Sequence, residues 1–358
     1  MSIKHRLKNH LREAYALFLF HTGAHAIVDR VMPRRMTILF GHCVDQPACN
    51  GFLPRDMKIR PENLTRVLRW LGRRYALTSV GEGYARVFGD PKGRQSVVAL
   101  SVDDGYRDNR TDLLPLLQTV GAGATVFLET GAMDGAPINW SHKYHWVIAT
   151  TPVADFGRRY VELCTDADAR SKLEALLDGP GDRLAYQLKR VLKYEADLHD
   201  RDRVVHHIFI ERGGDEEALR RTLYLSWEDV RAMHAAGIEF GGHTIHHTIL
   251  SRLDQGEQQG EIEGSRNAIE RELGAGAATV FAYPFGRRWD YDKRSIEATK
   301  AAGYRIAVNT HAGTVDRGAP PFELKRLPVD DNSRLHLLVA EACGGFDLLR
   351  RFGIDLSE

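Results

Sequence analysis

The run SVVALSVDDG, Ser96–Gly105, decides how this chain reads. Its apolar residues follow one another without alternation, as in a strand buried on both faces of a parallel sheet. It then stops on two acids and a glycine. Adjacent carboxylates at the end of a strand point to different sides, so Asp103 and Asp104 can serve different roles, one as metal ligand and its neighbour as proton acceptor. Taken alone, the same residues also suit a turn in which Asp side chains bond nearby backbone and Gly105 supplies the bend.

Outward from this run, short β-rich segments alternate with helical patterns. MTILFGH (36–42) and ATVFLET (124–130) read as strands, and PENLTRVLRWLGRRY (61–75) and TDLLPLLQTVG (111–121) as helices. The rhythm resumes with SWEDVRAMHAAG (226–237, helix), IEFGGH (238–243, strand), GEIEGSRNAIERELG (260–274, helix) and ATVFAYPFG (278–286, strand). RSIEATKAAG (294–303) is a helix, YRIAVNT (304–310) and FELKRLPVD (322–330) are strands, and SRLHLLVAEACGGFDLLRR (333–351) is a closing helix. Strands alternating with helices predict an α/β fold, a parallel (β/α) barrel. Residues of about 136–222 break the rhythm with Leu, Arg, Glu and Asp at helical spacing, and read as a helical insertion in one barrel loop. The expected organisation is a helical segment over 1–33, a barrel over 34–345 and a tail over 346–358.

The 358 residues are 43% hydrophobic and 27% charged, the makeup of a globular protein. A formal net charge of +1 gives no electrostatic reason to expect nucleic acid as a partner. Cys43, Cys49, Cys164 and Cys343 show no paired spacing, so neither a zinc ribbon nor a disulfide framework is indicated, and reduced thiols in a cytoplasmic protein are expected. The N-terminal AYALFLF (14–20) follows basic residues but is too short to span a bilayer and precedes no A-x-A cleavage site. It predicts an amphipathic helix packed on the domain, with peripheral membrane contact as the alternative.

Three further strand ends carry polar groups. GGHTIHHTIL (241–250) holds His243, His246 and His247, and a helical turn could present His243 with either of the others. Two imidazoles and one carboxylate leave a divalent ion an open position for water. FAYPFG (281–286) combines a stiff strand exit with a glycine, and a backbone N–H there could serve an oxyanion. ILFGHCVD (38–45) puts His42 at the end of the first barrel strand, where the other motifs also end.

Jointly these motifs resemble the polysaccharide deacetylase family, the NodB-type carbohydrate esterases of family four. The strand ending in Asp103, Asp104 and Gly105 resembles the family's first motif, and His243, Thr244 and His247 its second, so the resemblance selects His247 over His246. It implies a distorted (β/α) barrel, a metal ion (usually zinc) on Asp104, His243 and His247, and Asp103 as general base. It further implies that the Phe285 backbone N–H holds the oxyanion while an acid protonates the leaving amine. The chain departs from the better-known branch. Ala282 stands where that branch has an orienting Arg, and no Leu-x-His motif follows the last strands. The chain is similar to a subgroup with an N-terminal acid histidine, which implies His42 as the acid and Arg326, in LKRLPVD, as the residue orienting Asp103. Tyr283 and Trp140 are candidates for substrate contact, Trp140 by stacking on a sugar ring. The implied substrate is an N-acetylated glycan or lipid-linked saccharide of cell-surface polysaccharide synthesis. The alternatives are hydrolysis of another C–N bond, as in a deformylase or an enzyme opening a small cyclic amide, and a non-catalytic glycan-binding barrel.

Overall fold

The computed structural model describes residues 3–89, 95–179, 183–354 and 356. The ends of the expected N-terminal segment and tail (1–2, 355, 357–358) and residues 180–182 of the expected insertion lie outside these. The strands in chain order are β1 (Met36–Gly41), β2 (Cys43–Val44), β3 (Lys58–Ile59), β4 (Ala76–Thr78) and β5 (Val97–Val102). They continue with β6 (Thr125–Leu128), β7 (Glu239–Gly242), β8 (Val280–Ala282), β9 (Ile306–Val308) and β10 (Leu327–Pro328). The main sheet runs β10-β1-β5-β6-β7-β8-β9, with β4 also on β5, and every ladder in it is parallel. It curls into an incomplete barrel with helices around it.

β5 is the keel of this sheet. All six of its residues are buried, and β1 pairs with its whole length from Met36↔Val97 to Gly41↔Val102. Each fully buried Val or Leu there contributes about 1.5–3 kcal/mol. Because the ladders are parallel, the C-terminal ends of β1, β5, β7 and β8 emerge on one face, which gathers His42, Asp103–Asp104, His243 and Phe285. The crossover helices have defined starts. Ser226, Asp254 and Asp292 form capping boxes for helices Trp227–Ala235, Gln255–Leu273 and Lys293–Ala301, each cap stabilising by about 1 kcal/mol. At Gly241 in β7, a Cβ would lie 2.5 Å from the Val280 carbonyl. Only glycine lets β8 approach there.

The insertion between β6 and β7 holds, among the described residues, helices Trp140–Thr150, Val153–Leu163, Ala167–Leu177, Leu184–Tyr194, Leu198–Glu211 and Glu216–Leu223. They close over a core of their own that includes Tyr144, Phe156, Leu188, Val204 and Phe209. At the opposite end of the chain order, helices Ile3–Thr22 and His25–Val31 pack on helices Leu335–Ala342 and Gly345–Arg351 through Ala16, Leu19, Val28, Cys343 and Phe346. The sequence suggested one closing helix and a tail from 346. Instead the helix breaks at Gly344, whose φ is 76°, and a second helix begins because Phe346 has a buried apolar seat to fill. β2, β3 and β4 were not anticipated either. Each is only two or three residues long, too short to show a period.

Candidate active site

The two carboxylates at the end of β5 have separate surroundings. Asp103 is buried and faces Arg326, whose guanidinium donates to Asp103 Oδ1 at 2.7 Å and to Oδ2 at 2.8 Å. Arg326 is itself fully buried. It donates to the Asn309 carbonyl at 2.9 Å and to Ser101 Oγ at 3.2 Å, and lies over the Phe40 ring at 4.5 Å. Burial pushes the Asp103 carboxyl up, but the Arg326 charge and His243 outweigh it, and the pKa falls below the usual carboxylate value. Asp103 is therefore ionised at neutral pH and held in one orientation.

Asp104, with φ of 75°, turns the other way. Its Oδ1 lies 3.4 Å from His243 Nε2 and 3.3 Å from His247 Nε2, and the three potential ligand atoms fall within 4.8 Å of one another. This buried Oδ1 accepts no hydrogen bond. His243 Nδ1 bonds the Ala282 carbonyl at 2.7 Å, which leaves the Nε2 lone pair facing Asp104. Bonds of about 2.0–2.1 Å in a tetrahedron put neighbouring ligand atoms about 3.3–3.4 Å apart. Both Asp104–histidine separations match, so these residues fit a divalent ion. No helical turn brings the histidines together, contrary to one expectation from their spacing. After β7 the chain runs as a loop in which Thr244 (φ 66°) and His247 (φ 53°) are left-handed. This swings His246 outward, to bond Glu261 at 2.6 Å. Among the described residues five non-glycine residues have positive φ, and Asp104, Thr244, His247 and Phe285 are four of them. Strain concentrated in one place marks a site built for function.

The site opens into a cleft of about 1490 Å³. His42 lines it, held by a bond from Asn109 Nδ2 to its carbonyl at 3.3 Å. Phe285 also lines it. Its ring meets His247 at 4.6 Å, and its backbone N–H donates to no carbonyl among the described residues. Trp140 and Tyr283 do not line the cleft. Trp140 opens helix Trp140–Thr150 with its ring turned into the insertion core under Arg201, at 4.6 Å. Tyr283 is fully buried and stacks on Tyr291 at 4.1 Å, because the first residue after β8 points into the barrel wall. Both expectations of substrate contact are corrected by this packing. His145, one of the other histidines, does line the cleft, whereas His206 and His207 lie outside it.

The sequence reading missed a relay behind Asp104. Tyr106 donates to Asp104 Oδ2 at 2.7 Å and meets His142 Nε2 at 2.6 Å, and His142 Nδ1 bonds Tyr224. Burial lowers the His142 pKa to about 3, so the ring is neutral. A consistent assignment has Tyr224 donating to Nδ1, Nε2–H donating to Tyr106, and Tyr106 donating to Asp104. This holds the carboxylate's second oxygen and leaves Oδ1 for the triad. Only Tyr106, two residues after Asp104, was close enough in sequence to be suspected.

Residues 197–307 match the polysaccharide deacetylase family model. A Bacillus subtilis protein of polysaccharide deacetylase type, YxkH, is 20% identical over 298 residues, 83% of this chain and 72% of its own. Among solved structures, the Streptococcus pyogenes deacetylase PplD in complex with acetate superposes with a TM-score of 0.56 at 15% identity, covering 87% of this chain and 99% of that one. IcaB from Ammonifex degensii gives 0.54 at 15% identity, over 87% and 98%. The chain thus carries a match to the polysaccharide deacetylase domain over residues 197–307, on the fold of NodB-type deacetylases.

Proposed function

We propose that the protein is a metal-dependent hydrolase that removes N-acetyl groups from N-acetylated saccharides. The observation that carries the reading is the division of labour at the end of β5. One carboxylate is saturated by a buried arginine, and its neighbour presents a bare oxygen to two imidazoles. Asp104, His243 and His247 would hold the ion, zinc being the best match to two nitrogens and one oxygen. Such an ion lowers the pKa of water and polarises a carbonyl.

The remaining steps belong to the chain's own groups. Asp103, ionised and oriented by Arg326, takes a proton from the attacking water. The Phe285 N–H faces the oxyanion that develops on the acetamide carbonyl. His42 gives a proton to the amine nitrogen as it departs, and acetate and a free amino sugar result. His145, which also lines the cleft, is next in line for that role. The cleft volume favours a saccharide over a small cyclic amide or formamide, since sites for small molecules usually enclose about 300–1,000 Å³.

Contact with a membrane surface, in the synthesis of cell-surface polysaccharide, fits the exposed apolar residues of the first two helices. No helix among the described residues is long and apolar enough to cross a membrane. Leu7, Leu11 and Phe18 nevertheless form an exposed stripe on the first helix, and Ile27 and Val31 stand exposed on the second. Acetate release from N-acetylglucosamine oligomers, with small non-sugar amides run beside them, tests the activity. Turnover of the small amides alone would overturn the saccharide reading, and equal turnover by Asp103→Asn would remove Asp103 as the base.

A further inference from the structure

The insertion closes one wall of the cleft with two lysines of one helix, and Arg287 stands beside them. Lys189 and Lys193 lie one turn apart on helix Leu184–Tyr194, so they face the same way, and both line the cleft. Lys189 Nζ bonds His145 Nε2 at 2.7 Å and forms no ion pair among the described residues. Asp56 lines the same cleft without pairing with it. Lys193 Nζ sits 3.4 Å from Asp290 Oδ1 and 3.5 Å over the ring of Phe285, the ring that meets His247. Arg287 directly follows the FAYPFG turn and lines the cleft beside them, its guanidinium exposed.

Burial pulls the Lys189 pKa down to about 8 and that of Lys193 to about 7, and the charge of Arg287 lowers both further. Gathering three cations around one cavity is unfavourable in the free protein. The arrangement becomes favourable once an anion enters. Among the carboxylates lining the cleft, Glu195 already pairs with Lys172 at 2.8 Å, and Asp330 is occupied in its own turn.

We infer that Lys189, Lys193 and Arg287 form an anion subsite, and that the N-acetylated saccharide carries a phosphoryl or carboxylate group next to the sugar that is deacetylated. The place of the acetylated sugar rests on the deacetylase reading; the anion subsite does not.

Binding can be read without turnover. Metal-stripped protein at low ionic strength is titrated calorimetrically with N-acetylglucosamine 1-phosphate, an N-acetylglucosamine–glucuronate tetrasaccharide and a neutral N-acetylglucosamine tetramer. At least one anionic ligand should bind about tenfold or more tightly than the neutral one, the scale of one charge-assisted contact. Which one does so separates a phosphoryl from a carboxylate source. The preference should shrink as salt is raised, and the ratio should fall towards one in Lys189→Met/Arg287→Met. Equal affinity for all three ligands, or a preference that survives both salt and the double substitution, overturns the subsite. Acetate release by the metal-loaded protein is scored separately, so failure of the deacetylase reading would be visible by itself.

Discussion

Replacing Arg326 with Met asks how far the site depends on one buried ion pair. The Arg326 and Asp103 side chains are 0% and 4% exposed and share two short hydrogen bonds. A pair such as Arg86–Glu82, at 53% and 47%, is worth about 0–1 kcal/mol. Removing one partner of a buried pair strands a charge and costs about 3–5 kcal/mol. Methionine roughly keeps the volume, so that stranding dominates over a cavity. Urea unfolding at neutral pH should register a loss of about 3–5 kcal/mol. The Asp103→Asn/Arg326→Met double variant should lose less than the sum of the single losses. Acidification sharpens the test. In the parent, the lowered Asp103 pKa gives stability that is present above the ordinary carboxylate value and lost as pH falls through the lowered one. Without Arg326, the largest charge opposing burial is gone and the pKa rises, so the variant is penalised while Asp103 is charged. The stability gap between the two should therefore narrow steadily from neutral to acid pH. Turnover should fall together with stability at neutral pH, and Arg326→Lys should remain impaired because an ammonium cannot make the paired contact. A loss below about 1 kcal/mol, or a gap that widens in acid, would refute the reasoning.

Substitutions at five other positions separate the proposed roles. His42→Ala should cost on the order of 10²-fold in turnover, and much less on an activated amide whose leaving group needs no proton; an equal loss on both would make His42 structural. His243→Ala and His247→Ala should each abolish metal uptake measured by elemental analysis, while His246→Ala keeps it, because His246 points to Glu261. Trp140→Ala should destabilise by about 3–5 kcal/mol, while Trp140→Phe leaves KM unchanged; a raised KM in Trp140→Phe would return Trp140 to the substrate.

Where side-chain type follows strand position, the sequence was readable. The unbroken apolar run before Asp103 announced a parallel strand, and its partners end at matching points, so the gathering of His42, Asp103, Asp104, His243 and Phe285 could be expected. The pairing of Arg326 with Asp103 was reachable only through the family resemblance, since 223 residues separate them. Trp140 and Tyr283 misled because an aromatic residue beside a site motif looks alike whether its ring faces solvent or core. His142, Tyr106 and the Lys189–Lys193 face gave little signal, because their setting depends on how the insertion folds over the barrel.

The most direct test of the account is acetate release from an N-acetylated saccharide as zinc is added back to chelator-stripped protein, with bound zinc measured in parallel. Turnover should rise with zinc and level off at about one ion per chain, the capacity of a single three-ligand site. Asp103→Asn should take up the same zinc while releasing almost no acetate. Stripped protein as active as reloaded protein would contradict the account.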